Sequence, residues 1–416
     1  MAKVNLAYIG CGGIAGTHFK GLKMLWDKGY RDFSVVACCD VEEERAEAMA
    51  QNFAELTGVK PAVYTDYQAM LAKESAIDAV TIYTTHDNHH LIAIDAMRAG
   101  KHVTTEKPLG FSLRAAKRIM ETAEETGQML HVAENYRMAP AERAVSWVIK
   151  SGRIGTPRLL NWMDIGERQW YWQWRDHVDI ASGGWTIDGG VHFSDLWQLH
   201  IGEIKRVTAV AKTFDPVRYI TYNNLEEFEA SKEKAQPRYR PTRSLKNIDA
   251  NNLQEPVETT VEDTTSAILE FSNGVIGTWV VSRSAPGGVD RSCVLYGSEG
   301  ALSWNEGILT RTGQEGRLGW QEMIDLYMNS LPADEKERLF PMGITQTMAI
   351  EDKQFIDALL GRGMFEVDAM TGYKAMAIPM AVYESAAIQS PVLVQDVLDL
   401  KVETYQKPLN ERLGIK

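Results

Sequence analysis

The sequence predicts an α/β protein in two parts: a doubly wound parallel sheet at the N-terminus, then an α/β domain with a large, open, mainly antiparallel sheet. Three observations support this prediction. A glycine-rich turn joins a strand pattern to a helix pattern near residue 10, short apolar runs alternate with helical patterns up to residue 132, and a two-residue periodicity appears between residues 264 and 296. A chain of 416 residues is too long for one ordinary core, so we place the domains at residues 1–145 and 146–416.

The bulk composition restricts the possible partners. Apolar residues make up 44% and charged residues 24% of the chain, and no run approaches the roughly 18 apolar residues that a membrane span needs. A net charge of −12 opposes binding to nucleic acid, whose phosphates need a basic surface. The four cysteines lack disulfide or zinc spacing, and the N-terminus lacks a signal-peptide pattern. We expect a cytoplasmic protein that acts on a small molecule.

The first strand pattern covers residues 4–9, and a helical pattern follows directly behind a turn. Glycines in such a turn let the backbone approach a pyrophosphate, which then lies against the free N–H groups at the start of the helix. The turn therefore predicts a Rossmann-type dinucleotide site. Its predicted cofactor-binding residues are Gly10, Cys11, Gly12, Gly13 and Ile14.

Asp40 ends the next strand pattern, at residues 34–39, and is placed to accept hydrogen bonds from an adenosine ribose 2′-hydroxyl. It follows the glycine turn by more than the usual ~20 residues, which we attribute to the polar connection at residues 23–32. The alternative is that Asp40 only caps the following helix, at residues 42–56. A carboxylate there would repel a 2′-phosphate, so the sequence favours NAD over NADP.

The alternation continues with strands at residues 62–64, 77–83, 102–105 and 129–132, separated by helices. The carboxyl ends of parallel strands meet at one edge of the sheet, where ligands bind. We expect further cofactor contacts there, from Thr84, Thr85, His89, Glu106, Lys107 and Asn135, and a substrate contact from Tyr136. The histidines at residues 86–90 have no partners at metal-ligand spacing, so we expect no metal.

Several motifs together resemble one family. They are the glycine-rich start, the threonines before a helix that carries histidines, Gly-Lys-His-Val-x-x-Glu-Lys-Pro, and Gly-Gly-x-x-x-Asp-x-x-x-His-x-x-Asp. Their order resembles the Gfo/Idh/MocA oxidoreductases. The resemblance implies a nicotinamide cofactor in an N-terminal Rossmann domain, a substrate on the open sheet of the C-terminal domain, and a catalytic or substrate-orienting role for Lys107. Thr85 stands where the family commonly has proline, and Trp185 where a third glycine is common.

Asp188, His192 and Asp195 would share one face if a helix begins near Asp188. We predict Lys107, Asp188 and His192 as the catalytic set, and we expect these three residues and Asp195 to contact the substrate. An unperturbed histidine pKa of about 6.5 suits a general base near neutral pH, whereas a lysine pKa would have to be lowered substantially. His192 is therefore favoured as the base, with Lys107 as the alternative. Asp188 orients a substrate hydroxyl or the imidazole, or only caps its helix.

Tryptophans cluster just before this segment. Trp170, Trp172 and Trp174 alternate as one face of an extended segment would. Aromatic rings suit the C–H faces of a sugar or cyclitol, and a core or subunit contact is equally open. We predict that Trp174 and Trp185 contact the substrate, and that Arg175 holds a hydroxyl or an acidic substituent.

The second domain begins with a helix at residues 141–150 and a strand at 158–164, and a further strand covers 204–212. Residues 213–259 read as an irregular insert with a basic cluster at Arg238, Arg240, Arg243 and Lys246, most simply a solvated arm or subunit contact. Antiparallel strands at 264–271, 275–282 and 291–296 and helices at 346–359 and 373–388 follow. The family resemblance implies a sheet face against a neighbouring subunit, hence a homo-oligomer, a dimer or tetramer.

The leading interpretation is an NAD-dependent enzyme that removes a hydride from a secondary hydroxyl of a sugar, glycoside or cyclitol. A second interpretation keeps the cofactor but ends in glycoside cleavage through transient oxidation and elimination, without net redox change. A third is a non-catalytic NAD-binding sensor, which the presence of lysine, aspartate and histidine together disfavours.

Overall fold

The structure is a computed structural model that describes residues 3–222, 225, 229, 253–287, 290–310 and 316–415. Packing divides the chain into two units. The first unit comprises Met1–Ser151 and Gln321–Met376, and the second comprises Gly152–Trp320 and Ala377–Lys416. This grouping differs from the predicted division into residues 1–145 and 146–416, because a later stretch of the chain packs with the N-terminal segment.

The first unit is built on a six-stranded parallel sheet in the order β3-β2-β1-β4-β5-β6. Its strands are β1 (Val4–Ile9), β2 (Phe33–Cys39), β3 (Ala62–Tyr64), β4 (Ala79–Ile82), β5 (His102–Glu106) and β6 (Leu130–Ala133). Its helices are α1 (Gly13–Asp27), α2 (Glu43–Thr57), α3 (Tyr67–Lys73), α4 (His86–Arg98), α5 (Leu113–Thr126) and α6 (Pro140–Lys150). The predicted doubly wound sheet is confirmed.

Local signals explain where these elements begin and end. Ser112 caps α5, because its Oγ accepts a hydrogen bond from the Ala115 N–H at 3.2 Å, and Gly127 ends the helix in the left-handed conformation. Strands β4 and β6 are buried along their whole length, as expected for a parallel sheet that is covered on both faces.

The second unit holds an eight-stranded mixed sheet in the order β15-β14-β13-β7-β12-β11-β8-β16. Its members are β7 (Pro157–Ile165), β8 (Ile204–Lys212), β11 (Thr264–Phe271), β12 (Ile276–Ser282), β13 (Cys293–Gly297), β14 (Gly300–Ser303), β15 (Gly307–Thr310) and β16 (Val392–Leu393). Most pairs are antiparallel, as predicted, but β7 runs parallel to β12. Three helices lie between β7 and β8: α7 (Val178–Ala181), α8 (Trp185–Asp188) and α9 (Gly190–His200).

The two faces of this sheet differ in composition. On one face Trp279 is fully buried, and its ring lies 5.2 Å from that of Trp197 on α9. On the other face Tyr296, Leu159 and Ile276 are exposed and stand directly opposite one another on β13, β7 and β12. This second face is therefore an open apolar surface.

The predicted irregular insert at residues 213–259 is wrong at both of its ends. Strands β9 (Val217–Tyr222) and β10 (Leu253–Glu258) pair there in an antiparallel, two-stranded sheet. Ile220 and Tyr222 pack with the fully buried Tyr171, which gives this ribbon an apolar anchor that the polar composition of the segment concealed. The basic cluster of residues 238–246 lies outside the described residues.

The remaining helices are α10 (Trp320–Ser330), α11 (Ala333–Leu339), α12 (Thr347–Leu359), α13 (Ala369–Ile388), α14 (Val394–Leu398) and α15 (Gln406–Arg412). Helix α12 packs against α1, where a Cβ at Gly21 would lie only 2.9 Å from the Ala349 nitrogen. This packing assigns residues 321–376 to the first unit. Within the described ranges, no helix is long and apolar enough to span a bilayer.

Candidate active site

The glycine turn leaves open space at the start of α1. Gly10 has φ +87°, and a Cβ there would lie 2.6 Å from the Tyr83 carbonyl oxygen, so only glycine fits. A Cβ at Gly12 or Gly13 would meet nothing within 4 Å, and no acidic residue occupies the first turn of the helix. Free N–H groups therefore face a space that suits a pyrophosphate.

Asp40 lies at the end of β2 and is almost buried. Its Oδ2 accepts a hydrogen bond from the Cys11 N–H at 2.7 Å, and its Oδ1 accepts one from the Glu42 N–H at 2.9 Å. The carboxylate thus ties the glycine turn to the strand end. This second task of Asp40 was not predicted.

The loop after β4 is held by His89, which is fully buried. Its Nδ1 lies 2.9 Å from the Pro108 carbonyl oxygen, and its Nε2 lies 3.3 Å from the Thr84 carbonyl oxygen. Burial lowers its pKa and so favours the neutral ring, which can donate only one of these two hydrogen bonds. The structure places His89 between two strand-end loops, and its role as a cofactor contact stays a prediction.

The other predicted strand-end residues are also tied to their surroundings. Thr85 donates from Oγ1 to Asp87 Oδ1 at 2.5 Å, and the Asn135 amide donates to Thr347 Oγ1 at 2.9 Å. Tyr136 is exposed. Thr85 and Asn135 therefore belong to loops that hydrogen bonds hold in place.

Glu106, at the end of β5, belongs to a buried cluster that sequence reasoning missed. His18 on α1 lies with Nε2 3.1 Å from Glu106 Oε1 and with Nδ1 2.9 Å from Asp352 Oδ1 on α12. Glu106 Oε2 in turn accepts the Lys107 N–H at 3.1 Å. His18 thereby fixes the carboxylate that precedes the predicted catalytic lysine.

This cluster carries more negative than positive groups. Glu351 is fully buried, lies 3.9 Å from His18 Nε2, and has no hydrogen-bond partner for either carboxylate oxygen among the described residues. Burial raises the pKa of Glu351 well above its usual range. Burial alone would lower the pKa of His18, but the charges and hydrogen bonds of Asp352 and Glu106 raise it well above its usual value.

In the second unit, the helix that carries His192 begins at Gly190, close to the predicted start near Asp188. Asp188 ends the short helix α8, and α9 starts at Gly190 with Gly189 as its cap residue. Gly189, rather than Asp188, therefore occupies the N-cap position of α9. Asp188 Oδ1 instead lies 3.3 Å from Nε of Arg175.

Asp188, His192 and Asp195 are each less than a tenth exposed. His192 and Asp195, three residues apart on α9, share one helix face. The second unit therefore brings together a nearly buried imidazole and carboxylate on α9 and, at the end of α8, a carboxylate bound to arginine. Lys107 belongs to the first unit.

Trp185 is fixed on several sides. Its Nε1 donates to Asp164 Oδ2 at 3.1 Å, and the guanidinium of Arg283 lies 4.7 Å from its ring centroid. A Cβ at Gly189 would lie only 2.7 Å from the ring, so a glycine is needed at this position to make room for the indole. Glu262 accepts hydrogen bonds from the Gly184 and Thr186 N–H groups and so holds the turn before Trp185. Burial raises the pKa of Glu262.

A cavity of about 210 Å³ opens beside Trp185. We call it the tryptophan–arginine cavity. Its lining residues are Arg168, Trp170, Trp172, Arg175, Asp176, Gly184, Trp185, Glu262, Arg283 and Arg291.

The tryptophan segment is not extended as predicted. Gln173–Asp176 form a 3-10 turn, and the Trp170 and Trp172 rings meet at 5.9 Å in a T-shaped pair. The buried Asp176 causes this turn, because it accepts the Trp172 N–H and both amino groups of Arg168. Trp174 lies outside the set of residues that line the cavity, and its ring carries the Arg175 guanidinium at 4.2 Å.

Across the described ranges, the structure contains no group of three or more histidine, cysteine or acidic residues that could hold a metal ion.

Comparison with known proteins identifies relatives of both parts. The family model "Oxidoreductase family, NAD-binding Rossmann fold" matches residues 4–134, and the GFO/IDH/MocA C-terminal domain matches residues 143–303. Levoglucosan dehydrogenase of Pseudarthrobacter phenanthrenivorans is 26% identical over 340 residues, which cover 77% of this chain and 81% of that protein. Glycosyl hydrolase family 109 protein 1 of Akkermansia muciniphila is 24% identical over 347 residues, which cover 80% of this chain and 66% of that protein.

A solved structure of levoglucosan dehydrogenase in complex with NADH has the same fold. It superposes with a TM-score of 0.70 at 22% sequence identity, over 94% of this chain and 99% of that one. The predicted α/β fold, NAD-binding domain and oxidoreductase class are confirmed by these matches.

Proposed function

The chain belongs to the GFO/IDH/MocA oxidoreductase family, and from this premise we propose that it oxidises a secondary hydroxyl of a sugar, glycoside or cyclitol with NAD. One observation carries the proposal: the nearly buried imidazole of His192, with Asp195 on the same helix face and Asp188 at the preceding helix end. An oxidoreductase that acts on an alcohol must remove the hydroxyl proton as the hydride leaves. A nearly buried histidine with an acid on the same helix face is suited to that task.

We assign each residue one task. His192 takes the hydroxyl proton, and Asp195 and Asp188 orient the imidazole and the substrate. Lys107 stabilises the negative charge that develops on the reacting oxygen. Its backbone N–H is bonded to Glu106, which His18 holds, so the lysine lies on a fixed strand end.

The residues of the glycine turn fit the cofactor. Gly10, Cys11, Gly12, Gly13 and Ile14 would hold the pyrophosphate of NAD at the open N-terminus of α1. When bound, NAD supplies the hydride acceptor. Thr84, Thr85, Glu106, Lys107 and Asn135 lie at strand ends of the same sheet and would border the nicotinamide side.

Turnover with NAD and a panel of sugars and polyols tests these roles. His192→Asn should lower turnover ~10²–10⁴-fold, as expected for loss of a general base, while NAD affinity and melting temperature stay near wild type. The matched control is His200→Asn, since His200 lies on the same helix and is equally buried. Near-normal turnover of His192→Asn together with loss of turnover in Lys107→Ala would reverse the two roles.

We further propose NAD rather than NADP, because a 2′-phosphate would meet the Asp40 carboxylate. Asp40→Ala should narrow the difference between NAD and NADP affinity, measured by titration of each cofactor. Equal wild-type affinity for the two cofactors would contradict the assignment.

Glycoside cleavage is the second candidate, favoured by similarity to the glycosyl hydrolase family 109 protein. Oxidation of a glycoside hydroxyl acidifies the neighbouring C–H, so the aglycone can be eliminated. Addition of water and return of the hydride then complete a cleavage without net oxidation. Following NADH and free aglycone in one reaction with aryl glycosides separates the candidates: aglycone without NADH supports cleavage, and NADH without aglycone supports the dehydrogenase.

We also propose a homo-oligomer formed through the open sheet face. Tyr296, Leu159 and Ile276 form an apolar row across three neighbouring strands, and such a row suits burial against a second copy. Leu159→Glu should shift the mass in light scattering toward the monomer. A wild-type protein that is already monomeric would contradict this proposal.

A further inference from the structure

The tryptophan–arginine cavity has an uneven set of charges. Arg168 is bound to the fully buried Asp176 through two hydrogen bonds, and Arg175 is bound to Asp188. Both arginines therefore have a carboxylate of their own, and their charges are balanced within the protein.

Asp164 serves two arginines at once. Arg283 donates to its Oδ2 at 2.5 Å, and Nε of Arg291 lies 3.4 Å from its Oδ1. The remaining acid of the cavity, Glu262, is occupied by backbone N–H groups and by the hydroxyl of Tyr383. Four guanidinium groups are thus matched by three carboxylates, and the pair around Asp164 has one positive charge in excess.

Arg291 carries this excess charge. Its side chain is 72% exposed, whereas that of Arg283 is 15% exposed. Within the described ranges Arg291 meets a carboxylate only at Asp164, and its closest approach there is through Nε rather than through a terminal amino group. A guanidinium presented in this way can bind a carboxylate or phosphate through two parallel hydrogen bonds.

The walls of the cavity suit a ring. The Trp172 and Trp185 rings lie 5.5 Å apart at 35°, and all three lining indoles are half-buried, so parts of their faces remain accessible. Indole faces pack against the C–H face of a sugar. Arg175 connects the cavity to Asp188, one of the proposed catalytic residues, at 3.3 Å. A ring that reaches Asp188 can therefore place a substituent in the cavity.

We propose that the tryptophan–arginine cavity is a specificity site for an anionic substituent, so that the substrate is an acidic sugar derivative whose carboxylate or phosphate is bound by Arg291. This inference rests on the proposed oxidoreductase function and adds the substrate class to it. Arg291 sets specificity, whereas the proton and hydride are handled elsewhere.

The test compares neutral and acidic partners of the same ring. The probes are the methyl glycosides of glucose, galactose and N-acetylglucosamine, their uronic acids, and their 6-phosphates, titrated by calorimetry into the NAD-loaded protein. Tighter binding of the acids in at least one series is expected. Arg291→Gln should weaken that binding ~10-fold or more, the size expected for loss of a charge-assisted bidentate contact, and leave the neutral partner unchanged.

Arg317→Gln is the matched control, because Arg317 is equally exposed, belongs to the same unit, and has one carboxylate partner, Glu306. Unchanged binding in this variant supports a specific site. Equal losses in both variants would show a general charge effect and overturn the inference. Absence of any preference for the acids in all three series would overturn it as well. A preference for the uronic acids over the 6-phosphates assigns the carboxylate, and the reverse assigns the phosphate.

NADH formation in the same samples separates this inference from the proposed function. Binding of acids that depends on Arg291, without NADH or aglycone from any probe, would support the cavity and contradict the enzyme. NADH from neutral sugars, with no effect of Arg291→Gln on any acid, would support the enzyme and contradict the cavity.

Discussion

The two units each contain a cluster of charged side chains, and the two clusters differ in the balance of acidic and basic groups and in their exposure to water. In the first unit a single imidazole, His18, faces Glu106, Glu351 and Asp352, and all four side chains are buried. In the second unit four arginines line a cavity that is open at Arg291, and three carboxylates, those of Asp164, Asp176 and Asp188, pair with them. The fourth acid, Glu262, is bonded to backbone N–H groups instead. The first region has more acidic than basic groups and is nearly buried, whereas in the second region two arginines share Asp164 and one of them, Arg291, is exposed to solvent.

The difference shows how burial decides the use of a charge. Where water is excluded, the ionised form of an acid is disfavoured, so burial raises the pKa of Glu351. Burial acts against the protonated form of His18, but the neighbouring acids outweigh it and raise the pKa of this histidine. Where water has access, as at Arg291, a charged group stays ionised and can bind a ligand. The acid-rich cluster is therefore suited to holding the fold together, and the arginine-rich cavity to recognition.

Removing His18, the single cation of the buried cluster, should have the largest effect on stability. His18→Gln leaves Glu106 and Asp352 buried without their charged partner, and loss of one member of a buried pair costs about 3–5 kcal/mol. We expect the free energy of unfolding, from urea denaturation at pH 7, to fall by that amount. Adding Glu351→Gln should restore part of it, because one buried acid is then removed. A loss of under about 1 kcal/mol for His18→Gln would show that the cluster is not held by charge.

The first unit contains another buried histidine, His131. His131 is fully buried, and its Nε2 has no hydrogen-bond partner among the described residues. Burial, and then the charge of His18, lowers the pKa of His131 to about 3. The unfolded chain, with a pKa of about 6.5, takes up this proton first as the pH falls.

The stability that comes from the neutral His131 is therefore present above about pH 6.5 and is lost as the pH falls toward 3. At pH 5 the loss is about 2 kcal/mol relative to pH 7.5. His131→Gln should remove this part of the pH dependence. The measurement is the free energy of unfolding of both proteins at the two pH values, and parallel curves would contradict the assignment.

The smallest effect is expected in the cavity. Trp185→Ala removes one wall, and its loss should raise the Michaelis constant about 10-fold, the equivalent of about 1.4 kcal/mol. NAD affinity should stay unchanged. Trp320→Ala, which changes a partly exposed tryptophan outside the cavity, is the control. An unchanged constant for Trp185→Ala would make this ring structural.

The first unit was predictable because its signals are local. The glycine turn, the strand that ends in Asp40 and the Ser112 cap each depend on residues close in sequence. The second sheet was predicted only where two-residue periodicity is clear. Its short strands β14 and β15, and the ribbon of β9 and β10, were missed because few residues carry each pattern.

The site residues divide in the same way. Sequence motifs single out Asp188, His192 and Trp185, but no motif indicates Asp164, Glu262 or His18. These residues act on partners distant in the chain: Asp164 on Trp185 and Arg283, and His18 on Glu106 and Asp352. Long-range pairing of this kind has no period or spacing, so only the folded structure shows it. The prediction of an extended tryptophan segment was wrong for the same reason, because the contact between Asp176 and Arg168 bends this segment.

The bond between Asp40 and the Cys11 N–H has a consequence for how such a protein can diverge. One carboxylate fastens the glycine turn and, in our proposal, selects the cofactor. A lineage that replaces this acid to admit a phosphorylated dinucleotide also loosens the turn that every dinucleotide needs. A variant with only this substitution should therefore bind both NAD and NADP more weakly, unless a second substitution has already stabilised the turn in another way. Descendants of this chain should change cofactor by linked substitutions at the strand end and in the turn, and seldom by one alone.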